Sequence, residues 1–116
     1  MYKVEYSKIV SRKLKKLKAE LAQNYGSDIS KVIISKIVKS IRQLETFPES
    51  GTDVSSQYDV ECDYRYIFVE HNYFFYRMQN KNTILILEMF HEKEDFMRKL
   101  FGVITTSQET IDYWRE

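Results

Sequence analysis

Cysteine, proline and glycine are scarce in this sequence, and each shortage excludes a class of protein. Among 116 residues there are one cysteine, one proline and three glycines. The lone Cys62 cannot build an internal disulfide framework or a multi-cysteine zinc site, so we expect reducing surroundings and no bound metal. With so little glycine and proline, and with 43% hydrophobic residues, the chain is neither collagen-like nor disordered.

Long hydrophobic runs are also missing. Apolar runs such as Ile84–Leu87 are far shorter than the ~20 residues that a membrane-spanning helix needs. The first six residues alternate polar and apolar side chains, unlike the apolar segment of a signal peptide. We therefore expect a single cytoplasmic domain that does not cross a membrane.

The net charge of +1 is small, but the charges are unevenly distributed. Residues 1–44 carry 11 basic and 3 acidic side chains, a balance of +8, whereas residues 45–116 carry 7 basic and 14 acidic ones, a balance of −7. The basic side chains that can share one helical face are Lys8, Arg12, Lys15 and Lys16. A solvated helix face is one interpretation; the other is a contact surface for RNA, a DNA-bound complex or an acidic protein segment.

Periodicity predicts a strand and two helices in the first part of the chain. Residues 2–6 alternate with a period of two, which is typical of a strand with one buried face. Ser7 is predicted to cap a first helix that ends at Gly26. Ser27 or Asp28 is predicted to cap a second helix after a turn of two or three residues, giving an antiparallel hairpin that ends before Pro48.

Aromatic and β-branched residues dominate residues 64–90, and they predict three strands. Turns at 70–72 and 79–82 would join these strands into an antiparallel meander, in a sheet that the first strand also joins. A third helix is predicted to open at His91, and a capping box at Thr106 and Glu109 predicts a short last helix. The expected fold is α+β: an N-terminal strand and a helix hairpin packed on an antiparallel sheet, with short C-terminal helices.

Four segments in this order carry a family resemblance. They are the start Met1–Ser7, the break Phe47–Gly51, Arg65 with the run Tyr73–Arg77, and the strand exit Ile84–His91 with Asp95 after it. Together they resemble the RelE/ParE superfamily of bacterial type II toxin–antitoxin toxins. The resemblance covers about residues 1–100, so we assign residues 1–102 to a toxin domain and leave 103–116 as a helical tail of unassigned role.

The resemblance implies a small cytoplasmic toxin that inhibits growth, needs no cofactor and is neutralised by a cognate antitoxin protein. Such modules also contribute to plasmid stabilisation. RelE-like members cut messenger RNA on the ribosome, whereas ParE-like members bind DNA gyrase. A third possibility is a non-toxic remnant of the family that only binds its antitoxin.

A metal-free ribonuclease of this kind must deprotonate the 2′-hydroxyl, stabilise the phosphorane charge and protonate the leaving oxygen. By the family pattern, the candidate catalytic residues are Arg65, His91 and Lys93, and Arg77 is a candidate for contact with RNA or a partner. However, acidic residues surround the strand exit at Glu92, Glu94 and Asp95. Their charge would repel a phosphate backbone, which weighs against a nuclease.

Each candidate also has a structural interpretation. Arg65 would stack on a neighbouring tyrosine or pair with Asp63. His91 would end the last strand and bond a backbone carbonyl, and Arg77 would pair with Glu88 across two strands. The sequence leaves these alternatives open.

Overall fold

The computed structural model describes residues 1–101. The predicted tail, with Gly102 and the Thr106–Glu109 capping box, lies outside the described residues. In chain order the elements are β1 (Lys3–Tyr6), α1 (Lys8–Tyr25), α2 (Ser27–Arg42), a 3-10 turn (Gln43–Glu45), β2 (Thr52–Asp53), α3 (Val54–Tyr58), β3 (Arg65–Val69), β4 (Asn72–Met78), β5 (Thr83–His91) and α4 (Phe96–Phe101). Within this described part, no helix is both long and apolar enough to cross a membrane.

The five strands form one sheet in the order β1-β5-β4-β3-β2. The meander β3-β4-β5 is antiparallel, and β1 joins it by pairing in parallel with β5. The α+β class, the meander and the place of the first strand are therefore confirmed. Parallel pairing of β1 makes the sheet mixed rather than wholly antiparallel. The short elements β2 and α3 were not predicted, because two and five residues are too few for a periodic pattern.

The helix hairpin begins as predicted, but its turn is tighter. The Ser7 hydroxyl accepts a hydrogen bond from the Val10 backbone N–H at 3.1 Å, which confirms the cap of α1. Gly26, at φ 95°, is the one residue between the two helices. The predicted longer turn and the side-chain cap at Ser27 or Asp28 are therefore wrong. A positive φ suits glycine, so a single residue can reverse the chain.

Both faces of the sheet are covered. The core under the helix hairpin consists of Val10, Ile37, Ile41, Leu44, Phe74, Tyr76, Ile84, Ile86 and Met89. The core on the opposite face consists of Val54, Tyr66, Phe75, Phe90, Phe96 and Met97, with Cys62 packed against it. Because successive strand side chains point to opposite faces, Phe74 and Phe75 belong to different cores. Most of the aromatic run therefore serves packing.

The helix predicted to open at His91 begins later, at Phe96. His91 is still the last residue of β5 and pairs with Asn72 of β4. The Glu94 backbone N–H donates to the His91 carbonyl at 2.9 Å, which closes a turn instead of a helix. Strand pairing therefore overrides the local helix signal at residues 91–95.

The turn between β3 and β4 contains only Glu70 and His71, and both have positive φ, 51° and 66°. This is the backbone of a two-residue hairpin turn that favours Asn-Gly. The turn predicted at residues 70–72 is confirmed at Glu70 and His71, whereas Asn72 is already the first residue of β4. Side chains other than glycine and asparagine are strained in this conformation.

Replacing this turn by Glu70→Asn with His71→Gly is expected to raise the free energy of unfolding by about 1 kcal/mol, because the new residues adopt positive φ with less strain. The change also removes the contacts Lys36–Glu70 at 3.8 Å and His71–Glu92 at 3.0 Å, which lie at the solvent-accessible surface and contribute little. Urea denaturation followed by circular dichroism measures the effect. The control, Glu70→Ala with His71→Ala, loses the same contacts and should show no gain; an equal gain in both variants would contradict the strain explanation.

Tyr76 of β4 fastens the loop after the helix hairpin to the sheet. Its side chain is 2% exposed. The hydroxyl donates to the Pro48 carbonyl at 2.8 Å and accepts from the Gly51 N–H at 3.0 Å. A Cβ on Gly51 would lie 2.8 Å from the carbonyl oxygen of Tyr66, so the loop needs glycine at this position. The break at residues 47–51 is thus a docked loop.

We expect Tyr76→Phe to lower the free energy of unfolding by about 1–3 kcal/mol, because it leaves the buried Gly51 N–H without a partner. Tyr25→Phe is the matched control, since Tyr25 is 66% exposed and should change stability by less than about 0.5 kcal/mol. Both can be measured by urea denaturation. Similar losses in the two variants would show that the hydroxyl does not hold this loop.

Candidate functional site

Arg65 lies at the start of β3, and its guanidinium contacts the docked loop. Nη1 donates to the Gly51 carbonyl at 2.9 Å and, more weakly, to the Glu49 carbonyl at 3.4 Å. Within residues 1–101, Asp63 does not form the ion pair with Arg65 that the sequence suggested. The acceptors are backbone carbonyls instead, because the loop folds back beside β3. This arginine therefore shares a structural task with Tyr76.

The hydroxyl of Tyr76 is also electrostatically constrained. Burial raises the pKa of Tyr76 above its usual value, while the hydrogen bond from Gly51 and the charge of Arg65 act in the opposite direction. A protonated hydroxyl can both donate to Pro48 and accept from Gly51, as the observed geometry requires. Tyr76 was not singled out among the nine tyrosines. The sequence does not mark it out, because its place opposite Arg65 becomes visible only in the strand register of the structure.

His91 and Lys93 lie together where β5 ends. The Lys93 backbone N–H donates to Nδ1 of His91 at 3.2 Å, and the His91 N–H donates to Oε2 of Glu94 at 2.9 Å. In the neutral imidazole the proton is thus assigned to Nε2. Both side chains are exposed. The ring therefore presents an N–H donor to solvent. The predicted hydrogen bond from this ring to a backbone carbonyl is wrong, because the ring accepts from a backbone N–H instead.

Carboxylates at this exit are held by specific partners. Burial acts to raise the pKa of Glu94, but hydrogen bonds from Lys99 and His91 and the charges of Lys99 and Lys13 outweigh it and lower that pKa. The Lys99 Nζ lies 3.1 Å from Oε1 of Glu94. Glu94 is therefore ionised at neutral pH, and the acidic character of the exit predicted from the sequence is preserved in the fold.

The three candidate catalytic residues do not form one cluster. Arg65 pairs with Tyr76 of β4, whereas His91 pairs with Asn72, four positions further along the same strand. That offset is about 13 Å along the sheet, and β3 and β5 lie about 10 Å apart on either side of β4. The sheet brings His91 and Lys93 together and leaves Arg65 apart from both.

A cavity of about 320 Å³ opens between α1 and the end of β5. Lys16, one of the predicted partner-binding residues, lines it beside Lys13 and His91. Lys13 was not a predicted site residue, yet its Nζ lies 2.7 Å from Oε1 of Glu88 and 2.9 Å from the Met89 carbonyl. This half-buried ion pair joins α1 to β5. This ion pair holds Lys13 in the wall of the cavity, and the Glu88 carboxylate neutralises the Lys13 charge.

Arg77 is exposed in β4 and pairs with Leu85 in the register. The predicted cross-strand partner Glu88 is wrong for two reasons. A register shift at Phe75/Tyr76 places Glu88 opposite Phe75, and Lys13 already binds its carboxylate. A register shift of this kind cannot be predicted from the alternation of polar and apolar residues along a strand.

The remaining predicted basic residues lie along α1. Lys8, Arg12 and Lys15 are exposed, as is Lys16 at the cavity. None of the four forms an ion pair within residues 1–101. The uneven charge distribution thus has a physical location, because the positive side chains cover the helix hairpin while carboxylates surround the strand exit. This arrangement suits binding to an acidic surface better than chemistry on the sheet.

Among residues 1–101 no group of three or more histidine, cysteine, aspartate or glutamate side chains is placed to hold a metal ion.

No protein with a curated description matches the sequence closely enough to count as a relative. One solved structure, described as the chromosomal ParDE TA system from P. aeruginosa, contains a chain with 15% identity and a TM-score of 0.65, covering 78% of this chain and 96% of that chain. At that identity the likeness shows the fold alone.

Comparison of the sequence with protein-family models identifies the family. The model of the ParE toxin of the type II toxin–antitoxin system parDE matches residues 4–96. The match runs from the second residue of β1 to the first residue of α4, and so includes both long helices and strands β2 to β5 in full. The chain therefore belongs to the ParE toxin family of type II toxin–antitoxin systems.

Proposed function

We propose that this chain inhibits bacterial growth in the cytoplasm by binding a protein target, DNA gyrase, rather than by cutting RNA. A cognate antitoxin protein neutralises it by forming a complex. In this proposal the toxin works by occupying its target, so neither a cofactor nor a catalytic residue is required.

One observation carries the choice of binding over cleavage. Arg65, the candidate that would stabilise a phosphorane, donates to the Gly51 carbonyl and lies about 13 Å along the sheet from His91. General acid–base catalysis requires its groups within hydrogen-bond reach of the same reacting atoms. A pair formed by His91 and Lys93 alone, beside an ionised Glu94, is a poor site for a polyanion.

The charge distribution supports the same conclusion. Carboxylates occupy the strand exit, where a ribonuclease would hold a phosphate backbone. Exposed lysine and arginine side chains instead cover the helix hairpin, and one of them, Lys16, also lines the cavity at that exit. An acidic protein surface could use those charges for association without any reaction.

A messenger-RNA endoribonuclease acting on the ribosome is the second candidate, and the α1–β5 cavity favours it. His91 and Lys16 both line that cavity, and the neutral ring carries its proton on the outward Nε2. Only the imidazolium form of this ring could serve as a proton donor, and in that form Nδ1 no longer accepts from the Lys93 N–H. The two candidates predict different events in the cell.

Inducing the chain without its antitoxin is expected to arrest growth while messenger RNAs stay intact, because the toxin acts by binding. Mapping of RNA 5′ ends before and after induction measures cleavage. A culture that co-expresses the cognate antitoxin is the control and should grow normally. New 5′ ends within codons, appearing as growth stops, would replace the proposal by the ribonuclease. Unchanged growth despite folded, induced protein would indicate a non-toxic remnant.

A further inference from the structure

Four cations lie together on the side of α1 that faces solvent. They are Lys8, Arg12, Lys15 and Lys16, and we call them the α1 basic face. Residues three and four positions apart are neighbours on one side of a helix, and these four residues follow that spacing. The opposite side of α1 packs into the core through the buried Val10. The helix therefore divides into an apolar side that holds the fold and a basic side that is free for a ligand.

The charges of the α1 basic face are not neutralised by the fold. All four side chains are exposed, and none of them forms an ion pair within residues 1–101. By contrast, Lys13 on the same helix is paired with Glu88 at 2.7 Å. The one acidic residue of α1, Glu20, comes a turn after the last of the four cations and lines the α1–β5 cavity. Unpaired charges of one sign raise the local positive potential and attract a polyanion.

The composition of the α1 basic face favours a phosphate backbone over an acidic protein surface. Of the exposed large apolar side chains of α1, Ile9 alone lies beside these cations, and Tyr25 lies at the far end of the helix. Protein–protein interfaces are depleted in lysine and bind through buried aromatic or aliphatic anchors. Interfaces with DNA are more polar and much more positively charged. Three lysines and one arginine without an apolar cluster match the second kind of interface.

The length of the α1 basic face also suits a nucleic-acid duplex. From Lys8 to Lys16 the face extends about 12 Å along the helix axis, at about 1.5 Å per residue. Duplex DNA carries one phosphate charge per about 1.7 Å of its axis, so a segment of that length presents about seven phosphates. Four cations can therefore each meet a phosphate along one short stretch of duplex. Contacts of this kind position a protein on DNA and do not read the base sequence.

We propose that the α1 basic face binds the phosphate backbone of duplex DNA and that the DNA held by gyrase is its ligand, an inference that rests on the function proposed above. Gyrase acts on duplex DNA, so a toxin bound to this enzyme lies beside such a polyanion. The contact adds a second, weak site to the protein contact. Two linked sites hold a ligand more tightly than either site alone, because the second binding event becomes intramolecular.

Fluorescence anisotropy of a short, labelled DNA duplex of mixed sequence, titrated with the purified chain, tests this proposal. The logarithm of the affinity should fall with the logarithm of the salt concentration with a slope of about −3 to −4, because each neutralised phosphate contributes about −0.9. Arg12→Gln with Lys15→Gln should weaken binding at least about tenfold at about 0.1 M salt and make the slope shallower by about 2.

A matched control separates the α1 basic face from net charge. Lys81→Gln with Arg98→Gln also removes one lysine and one arginine, at exposed positions outside the helix hairpin, and should weaken DNA binding less than about threefold. Circular dichroism first confirms that each variant is folded. In gyrase supercoiling reactions, Arg12→Gln with Lys15→Gln should need at least about fivefold more protein for half-inhibition than the wild type, whereas the control should match the wild type.

The outcomes distinguish this inference from the function on which it rests. If the wild-type chain inhibits gyrase but Arg12→Gln with Lys15→Gln binds the DNA duplex as tightly as the wild type, the inference is overturned while the function stands. Equal losses of DNA affinity in both double variants would overturn it too, because net charge would then explain the binding. Much tighter binding to an RNA duplex of the same sequence would make RNA the ligand and the inference wrong. A wild-type chain that binds the duplex but neither binds nor inhibits gyrase would contradict the proposed function and the choice of gyrase-held DNA.

Discussion

Burial of the sheet on both faces determines where polar side chains can lie in this structure. The helix hairpin covers one face, and the segment around α3 together with α4 covers the other. Phe74 and Phe75, neighbours in β4, are both fully buried because each enters a different core. This double burial leaves little of the central sheet for chemistry, and it moves the available polar surface to the helices, the loops and the strand exit.

Polar contacts then decide how those outer parts are positioned. Tyr76 and Arg65 bind the loop at Gly51, Lys13 joins α1 to β5 through Glu88, and Ser30 sets the two long helices against each other. In each case a side chain from one element bonds to a group from another. Buried groups such as Tyr76 and Ser30 are costly to leave unpaired, so they select one arrangement of the layers. Arg65 is half-buried, and its guanidinium holds the loop in place.

The order of elements could be predicted from the sequence because it rests on local patterns, such as the cap at Ser7, the stop at Gly26 and the alternation in β4. The parts that sequence reasoning missed depend on pairing between distant residues. His91 remains in β5 because it pairs with Asn72. Glu88 binds Lys13 instead of Arg77, because a register shift places Glu88 opposite Phe75.

A toxin that acts by occupying a protein needs a stable scaffold with a charged exterior, and the polarity of this chain fits that requirement. Binding to gyrase can be tested by titrating the purified chain into a reaction in which purified gyrase supercoils relaxed plasmid DNA. We expect inhibition that rises with the amount of toxin, saturates, and disappears when the antitoxin is mixed in first. Unchanged supercoiling at a large molar excess of folded toxin would contradict it.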